Sequence, residues 1–278
     1  MDQQFGGSWT DQKMRIVVDY ARAYLTIMAT LPWVKTIYFD GFAGSGVIKG
    51  EDGEAVKKGT ALQILEITSP KPFDLYYFVE LNEAHKCTLE NQIKENHPGR
   101  KAYVIKDDCN NKLKALADYL TKNRTYRALS FIDPYGMDVK WSSIEALKGL
   151  GVDLWILVPT GVGANRLLKV DGNISDGWYK ALETCLGLNR AEIDKRFYRR
   201  TTTHTLFGAE TTVTKEKETV QKLGDLYAER LGEVFKYVSE PFLLKNSMNS
   251  IMYHFMMATN NAAGVKIAND VIKPKYEA

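Results

Sequence analysis

The chain has little of what would commit it to a narrow class. Only three cysteines, Cys87, Cys109 and Cys185, occur in 278 residues. Their odd number and wide spacing exclude a disulfide framework, match no zinc spacing and suggest a reducing, cytoplasmic setting. The four histidines, His85, His97, His204 and His254, show no paired spacing, so neither a metal site nor a His-based triad is indicated. Long apolar runs are missing too. The longest stretch without a charged residue, Asn246 to Val265, carries Asn, Ser, His and Thr throughout, which is too polar to span a bilayer. The opening MDQQFGGSWT lacks a basic segment followed by an apolar one, so no secretory signal is expected. Charge is nearly balanced, with 37 basic against 34 acidic residues and a net charge of +3, so charge alone demands no nucleic acid. With 45% hydrophobic residues the chain can bury a core, which excludes disorder.

No repeat or Ser/Pro-rich linker interrupts the sequence, so residues 1–278 are expected to form one domain with an insertion. Met14, Val17, Val18, Ala21, Leu25 and Met28 recur at helical spacing behind Thr10, and Pro32 stops that helix. Five short apolar runs follow: Thr36–Gly41, Phe73–Glu80, Ala102–Asp107, Ala128–Pro134 and Asp153–Pro159. Helical periodicity fills the gaps at Thr60–Thr68, Asn82–Glu95, Asn110–Thr121 and Trp141–Leu150. Strands alternating with helices imply a parallel sheet covered on both faces. Residues 160–214 give no clean strand and are expected to be a mostly helical insertion that binds substrate or partner. A helix at Lys215–Leu231, β-like runs at Val234–Val238 and Ser250–Thr259, and a helix at Asn261–Val271 complete the pattern.

The strongest signal is YFDGFAGSG, Tyr38 to Gly46, a strand that runs into a glycine loop. Glycine lets backbone approach a ligand and take positive φ, and ligands bind beyond the ends of parallel strands. A dinucleotide fingerprint fails here. Lys49 stands where the third Gly or Ala belongs, and the next strand-end acid, Glu80, comes too late. The segment D-x-F-A-G-x-G instead resembles the S-adenosylmethionine loop of class I methyltransferases. That resemblance implies cofactor contacts at Asp40, Phe42, Ala43, Gly44 and Gly46. It also implies a ribose-binding carboxylate at Glu80 with Leu81 beside it, and an adenine edge at Asp107, Asp108 and Cys109.

The fourth strand ends FIDPYG, Phe131 to Gly136, near the Asp/Asn-Pro-Pro-aromatic of amino-group methyltransferases and nearer the D-P-F-G of enzymes that methylate guanine in transfer RNA. An exocyclic amine conjugated to a base is a poor nucleophile. A carboxylate and a backbone carbonyl that accept its two N–H bonds direct its lone pair, while an aromatic ring fixes the base. Asp133 would be that acceptor, Pro134 would set the carbonyl and Tyr135 would offer the ring, with Gly136 where the aromatic is expected. An Asp-Pro-Tyr-Gly turn without a catalytic role is the plain alternative. No metal is called for.

Together, Trp9-Thr10-x-x-Lys13, YFDGFAGSG, KGTALQIL, FVELN, D-P-Y-G and HFMMATNNAAG resemble the three-Cys-motif partner proteins (TcmP) from about Trp9 to Val271. The resemblance implies a Rossmann-like class I methyltransferase fold, with a mainly parallel seven-stranded sheet and an antiparallel edge strand. It also implies a partner bearing a three-cysteine motif of iron–sulfur type, supplied in trans. The expected activity is transfer of a methyl group to an exocyclic amino nitrogen of a nucleic-acid base. The alternative is a docking subunit for the three-Cys protein.

Within the insertion, Lys195-Arg196-Phe197-Tyr198-Arg199-Arg200 could grip phosphates, with Tyr198 or Phe197 stacked on a base. A solvated helix face is the competing reading. Lys57-Lys58 reads as a loop tip, Cys109 as a small packing residue and Asn260-Asn261 as a helix cap.

Overall fold

The computed structural model describes residues 8–48, 57–206 and 208–276. Lys49 and the first seven residues, which carry the missing third glycine and the absent signal segment, lie outside the described residues. The first helix, α1 (Ser8–Ala29), buries Ile16, Val17, Tyr20, Ala21, Tyr24, Leu25 and Met28 along one stripe. Strands β1 (Lys35–Asp40), β2 (Leu75–Val79), β3 (Ala102–Ile105), β4 (Tyr126–Ile132) and β5 (Val152–Val158) are mutually parallel in the order β3-β2-β1-β4-β5. Between them lie α2 (Thr60–Leu65), α3 (Glu83–Asn96), α4 (Cys109–Lys122) and α5 (Trp141–Glu145). The chain thus winds outward from β1 in both directions. The gap between β1 and β4 is the switch point where α/β sheets bind ligands.

Alternate residues of each strand feed two cores. Ile37, Phe39, Leu154 and Ile156 pack on α4 and α5, whereas Tyr38, Trp155 and Leu157 pack on α1 and α2. The sheet is therefore sandwiched between helical layers, as its near-continuous apolar strands require.

Beyond β5 the insertion holds helices α6 (Asp176–Leu186) and α7 (Arg190–Phe197), each with a side-chain N-cap, from Ser175 and Asn189. It then becomes an antiparallel hairpin, Tyr198–Thr205 with Gly208–Lys215. This corrects the expectation of no strand there. The threonine run that reads as a polar turn is β-branched and suits a pleated ladder. Lys57-Lys58 is likewise a short strand, paired with Val47–Ile48, and its two lysines pair with Asp11 and Glu66.

Helix α8 (Thr219–Val234) leads to strands β6 (Tyr237–Val238), β7 (Phe242–Lys245) and β8 (Ile251–Thr259), and α9 (Ala262–Tyr276) closes the described chain. Strand β8 runs antiparallel to β5. It lies inside the sheet, because β6 and β7 share its other side as two halves of one broken edge strand. Pro241 interrupts that strand. Ser239 repairs the gap: its backbone amide donates to the Met257 carbonyl at 2.8 Å, and its Oγ accepts from the Met257 amide at 2.9 Å. Counted by position the sheet has seven strands, six parallel and β8 opposed. This is the mainly parallel, seven-stranded Rossmann-like sheet expected from the sequence.

Asp153, half-buried in β5, ties α1 to this frame. It accepts from Tyr20 Oη at 2.7 Å and from Thr259 Oγ1, and burial pushes its carboxyl up. Removal of the Tyr20 hydroxyl leaves a buried carboxyl short of one partner. Tyr20→Phe should therefore lower unfolding free energy by roughly 1–3 kcal/mol in urea titration. An unchanged midpoint would show that the tie carries no stability.

Candidate active site

Asp40, Glu80 and Asp133 lie at the carboxyl ends of β1, β2 and β4, on one edge of the sheet. Asp40 is 1% exposed. Its Oδ1 accepts the Phe42 amide at 3.1 Å, and Tyr38 Oη reaches its Oδ2 at 3.5 Å. Burial pushes its carboxyl up to about 7; the Phe42 amide and Lys13 ammonium pull it down, while Asp133 and Glu80 add to the rise.

Glu80 bridges two loops. Its Oε2 accepts the Gly44 amide at 2.9 Å and its Oε1 accepts the Asn82 amide at 2.7 Å. Gly44 has φ +63° with open space where a Cβ would stand, so glycine serves there for its backbone conformation. Gly46, at φ +77°, has no such room: a Cβ would lie 2.7 Å from Leu89 Cδ1. One glycine sets the loop's turn and the other lets α3 pack. Ala43 donates its amide to the Val79 carbonyl at 3.0 Å and Phe42 packs on the core, which fixes the loop between β1 and β2. Leu81 is 68% exposed at the rim.

The third strand's acids divide their work. Asp108 caps α4 by accepting the Asn110 amide at 2.8 Å. Asp107 is half-buried and held at about 2 by hydrogen bonds from Asn111, Lys112 and the Asp108 amide. Cys109 is buried against Gly41, where a Cβ would lie 2.5 Å from its Sγ, and burial pushes its thiol well up. It packs and is no nucleophile.

Asp133 holds a partner that the sequence reading did not assign to it. Lys13 of α1, 120 residues away, donates to Asp133 Oδ2. Its side chain is 8% exposed and that of Asp133 23%. Trp9 lies 5.4 Å from the Lys13 ammonium, and Tyr253 of β8 packs on Trp9 at 5.9 Å. Tyr135 is 59% exposed beside them. Pro134 and Gly136 lead to a loop that buried Asn110 braces, accepting from the Lys140 amide at 2.7 Å and donating to the Asp138 carbonyl at 2.8 Å. Asn110 was unmarked because only tertiary contact gives it a role.

The basic run of the insertion lies elsewhere and is engaged. Arg196 forms a bidentate pair with Glu229, Arg199 pairs with Glu216 and Arg200 with Asp194. Phe197 and Tyr198 are 1% and 6% exposed, and Tyr198 Oη donates to the Lys169 carbonyl at 2.7 Å. Neither ring has a face for a base, which corrects the stacking expectation. Lys195, Arg199 and Arg200 remain at the surface. Asn261 accepts the Ala263 amide at 3.0 Å, the expected cap. Among the described residues no group of three His, Cys, Asp or Glu side chains is placed to hold a metal ion, and no helix is long and apolar enough to cross a membrane.

No family model matches the chain, and neither does any curated protein. Solved structures do. A protein from Legionella pneumophila str. Philadelphia 1 is 16% identical, covers 93% of this chain and 99% of its own, and gives a TM-score of 0.44. A putative methyltransferase, yhhF, from Escherichia coli is 13% identical over 71% and 86%, with a TM-score of 0.31. Trm1 from Pyrococcus horikoshii, solved with S-adenosyl-L-methionine, is 10% identical over 92% of this chain and 64% of its own, with a TM-score of 0.39. These likenesses are of fold alone.

Two outcomes follow from the electrostatics. Folded Asp40 keeps its proton to about pH 7, whereas an unfolded aspartate loses it near 4. Its contribution to stability is therefore lost as pH rises between about 4 and 7 and is flat above. Asp40→Asn should remove that slope, with a gain at pH 8 of at most roughly 4 kcal/mol over its effect at pH 4 in urea titrations. Equal effects at both pH values would contradict it. Asp133→Ala strands the Lys13 ammonium and should cost roughly 3 kcal/mol, with much of the loss recovered in Lys13→Met/Asp133→Ala. Additive losses in that cycle would show that the pair is not coupled.

Proposed function

We propose that this chain binds S-adenosylmethionine at the ends of β1, β2 and β3 and transfers its methyl group to an exocyclic amino nitrogen of a nucleic-acid base. The observation that carries the reading is the convergence of Asp40, Glu80 and Asp133 around a glycine loop pinned to Glu80. Two carboxylates, Glu80 and Asp133, and the Asp40 carboxyl, which loses its proton near pH 7, share the site with one ammonium, Lys13, so the site attracts a cation. A ligand with a sulfonium and an amino group supplies the missing positive charge. The residues therefore fit the cofactor.

Glu80 keeps a lone pair on each oxygen beyond its two amide contacts and would take the ribose hydroxyls. Gly44 would admit the cofactor's approach, Leu81 would offer apolar cover, and Asp107 and Asp108 would meet the adenine edge. When bound, the cofactor supplies an electrophilic methyl. Asp133 would accept an amine N–H and the carbonyl set by Pro134 the other, which orients the lone pair, while Tyr135 is exposed enough to stack on the base. The target base must be unpaired or flipped to reach Asp133. Arg199 and Arg200 could exchange their carboxylates for phosphates, joined by the exposed Lys195, with substrate grip the insertion's role.

A second reading, a docking subunit for a three-Cys-motif protein, is favoured by one observation: Lys13 already occupies an oxygen of Asp133. A partner that moves α1 would release it.

Calorimetric titration of the chain with S-adenosylhomocysteine should show binding, and Glu80→Ala should weaken it at least about tenfold, as expected for loss of hydrogen bonds to a charged group. Asp133→Ala should leave that affinity within about twofold and abolish labelled-methyl transfer. Absence of binding, with and without the three-Cys protein, would sink the cofactor site. Binding with transfer only in the complex would establish the second reading.

A further inference from the structure

The least satisfied charged group in the site is Lys13. A buried ammonium carries three N–H donors, and among the described residues only Asp133 Oδ2 accepts one of them. Trp9 covers it from one side. Among the same residues Asp133 Oδ1 accepts no hydrogen bond, although its carboxylate can take several. The pair therefore presents unused donors and an unused acceptor next to each other, with the Trp9 ring, packed on Tyr253, alongside. Leaving such buried groups unmade is costly. A ligand edge with a donor beside an acceptor would satisfy both.

Resting on the methyltransferase reading above, we infer that Lys13 is a specificity-determining residue, which donates to the ring nitrogen next to the amine that Asp133 accepts. The edge it fits is an amine beside a ring lone pair: N6 with N1 in adenine, or N4 with N3 in cytosine. Guanine presents N2–H beside N1–H on its pairing edge. An ammonium has no acceptor to meet that second donor, and the one acceptor beside N2, N3 on the opposite edge, is crowded by the attached sugar, so Lys13 disfavours guanine. A good two-point contact of this kind separates bases by roughly 1–3 kcal/mol, about five- to 150-fold.

The test uses the full chain saturated with S-adenosylhomocysteine and fluorescent single-stranded oligonucleotides whose one central base is adenine, 1-deazaadenine or guanine. Affinity is read by anisotropy and methyl transfer in parallel with labelled cofactor. The wild type should prefer adenine to 1-deazaadenine and to guanine by about tenfold. Lys13→Met should treat adenine and 1-deazaadenine alike, and Lys13→Arg, which keeps a charged donor, should retain part of the preference. Thermal melting confirms that each variant folds, and should Lys13→Met fail to fold, wild-type discrimination between adenine and its 1-deaza analogue decides. Equal affinity and transfer for those two, or a preference for guanine, overturns the inference and leaves the cofactor site standing. Failure to bind S-adenosylhomocysteine overturns the function itself. Cofactor binding without oligonucleotide binding or transfer removes the nucleic-acid target and, with it, the role of Lys13.

Discussion

The site depends on the register of β1 between its two parallel neighbours. Asp40 stands level with Phe78 on β2 and with Phe131 on β4. The next residues out on those strands therefore bring Glu80 and Asp133 to the same rim. Strand side chains alternate, so a slip of one residue would turn Asp40 and Tyr38 over and expel the apolar sets on which both helical layers pack. The apolar cores fix the register, and the register gathers three acids that would otherwise repel. Burial, the Lys13 ammonium and the protonation of Asp40 together make that crowding tolerable.

Lys13 also links the layers. Helix α1 is held from below by Tyr20 on Asp153 and from within by its apolar stripe. It delivers Lys13 to the far end of the sheet as a rigid arm. Placing an ammonium on a helix rather than a loop sets its position by core packing, which is how a site gains precision. Any partner or substrate that competes for Asp133 must work against that packing.

Much of this was legible in the chain. Asp40, Glu80 and Asp133 each end an apolar run followed by glycine, proline or a helix signal, so their shared edge follows once the strands are taken as parallel. Lys13 was visible only as part of a motif, because its partner lies far along the chain and nothing local marks the meeting. The hairpin at Tyr198–Lys215 was hidden by its composition: threonine, histidine and lysine read as a solvated turn, and the pairing is made within the insertion itself. Strand β7 was hidden by its length of four residues and by Pro241 just before it. Phe197 and Tyr198 look exposed among cations, yet both turn inward, since a short helix and the strand after it share one apolar face.

The broken edge strand has a consequence for the whole molecule's behaviour in concentrated solution. With β6 and β7 jointly covering β8, the backbone on that side of the sheet is largely spoken for. Among the described residues the main sheet then has as its flanks the broken strand β6/β7 and β3, which is four residues long with Lys101 and Lys106 at its two ends. A short strand fenced by like charges is a poor template for another chain. The interruption at Pro241 and its repair by Ser239 thus keep a nine-residue apolar strand, IMYHFMMAT, from serving as a seed for assembly.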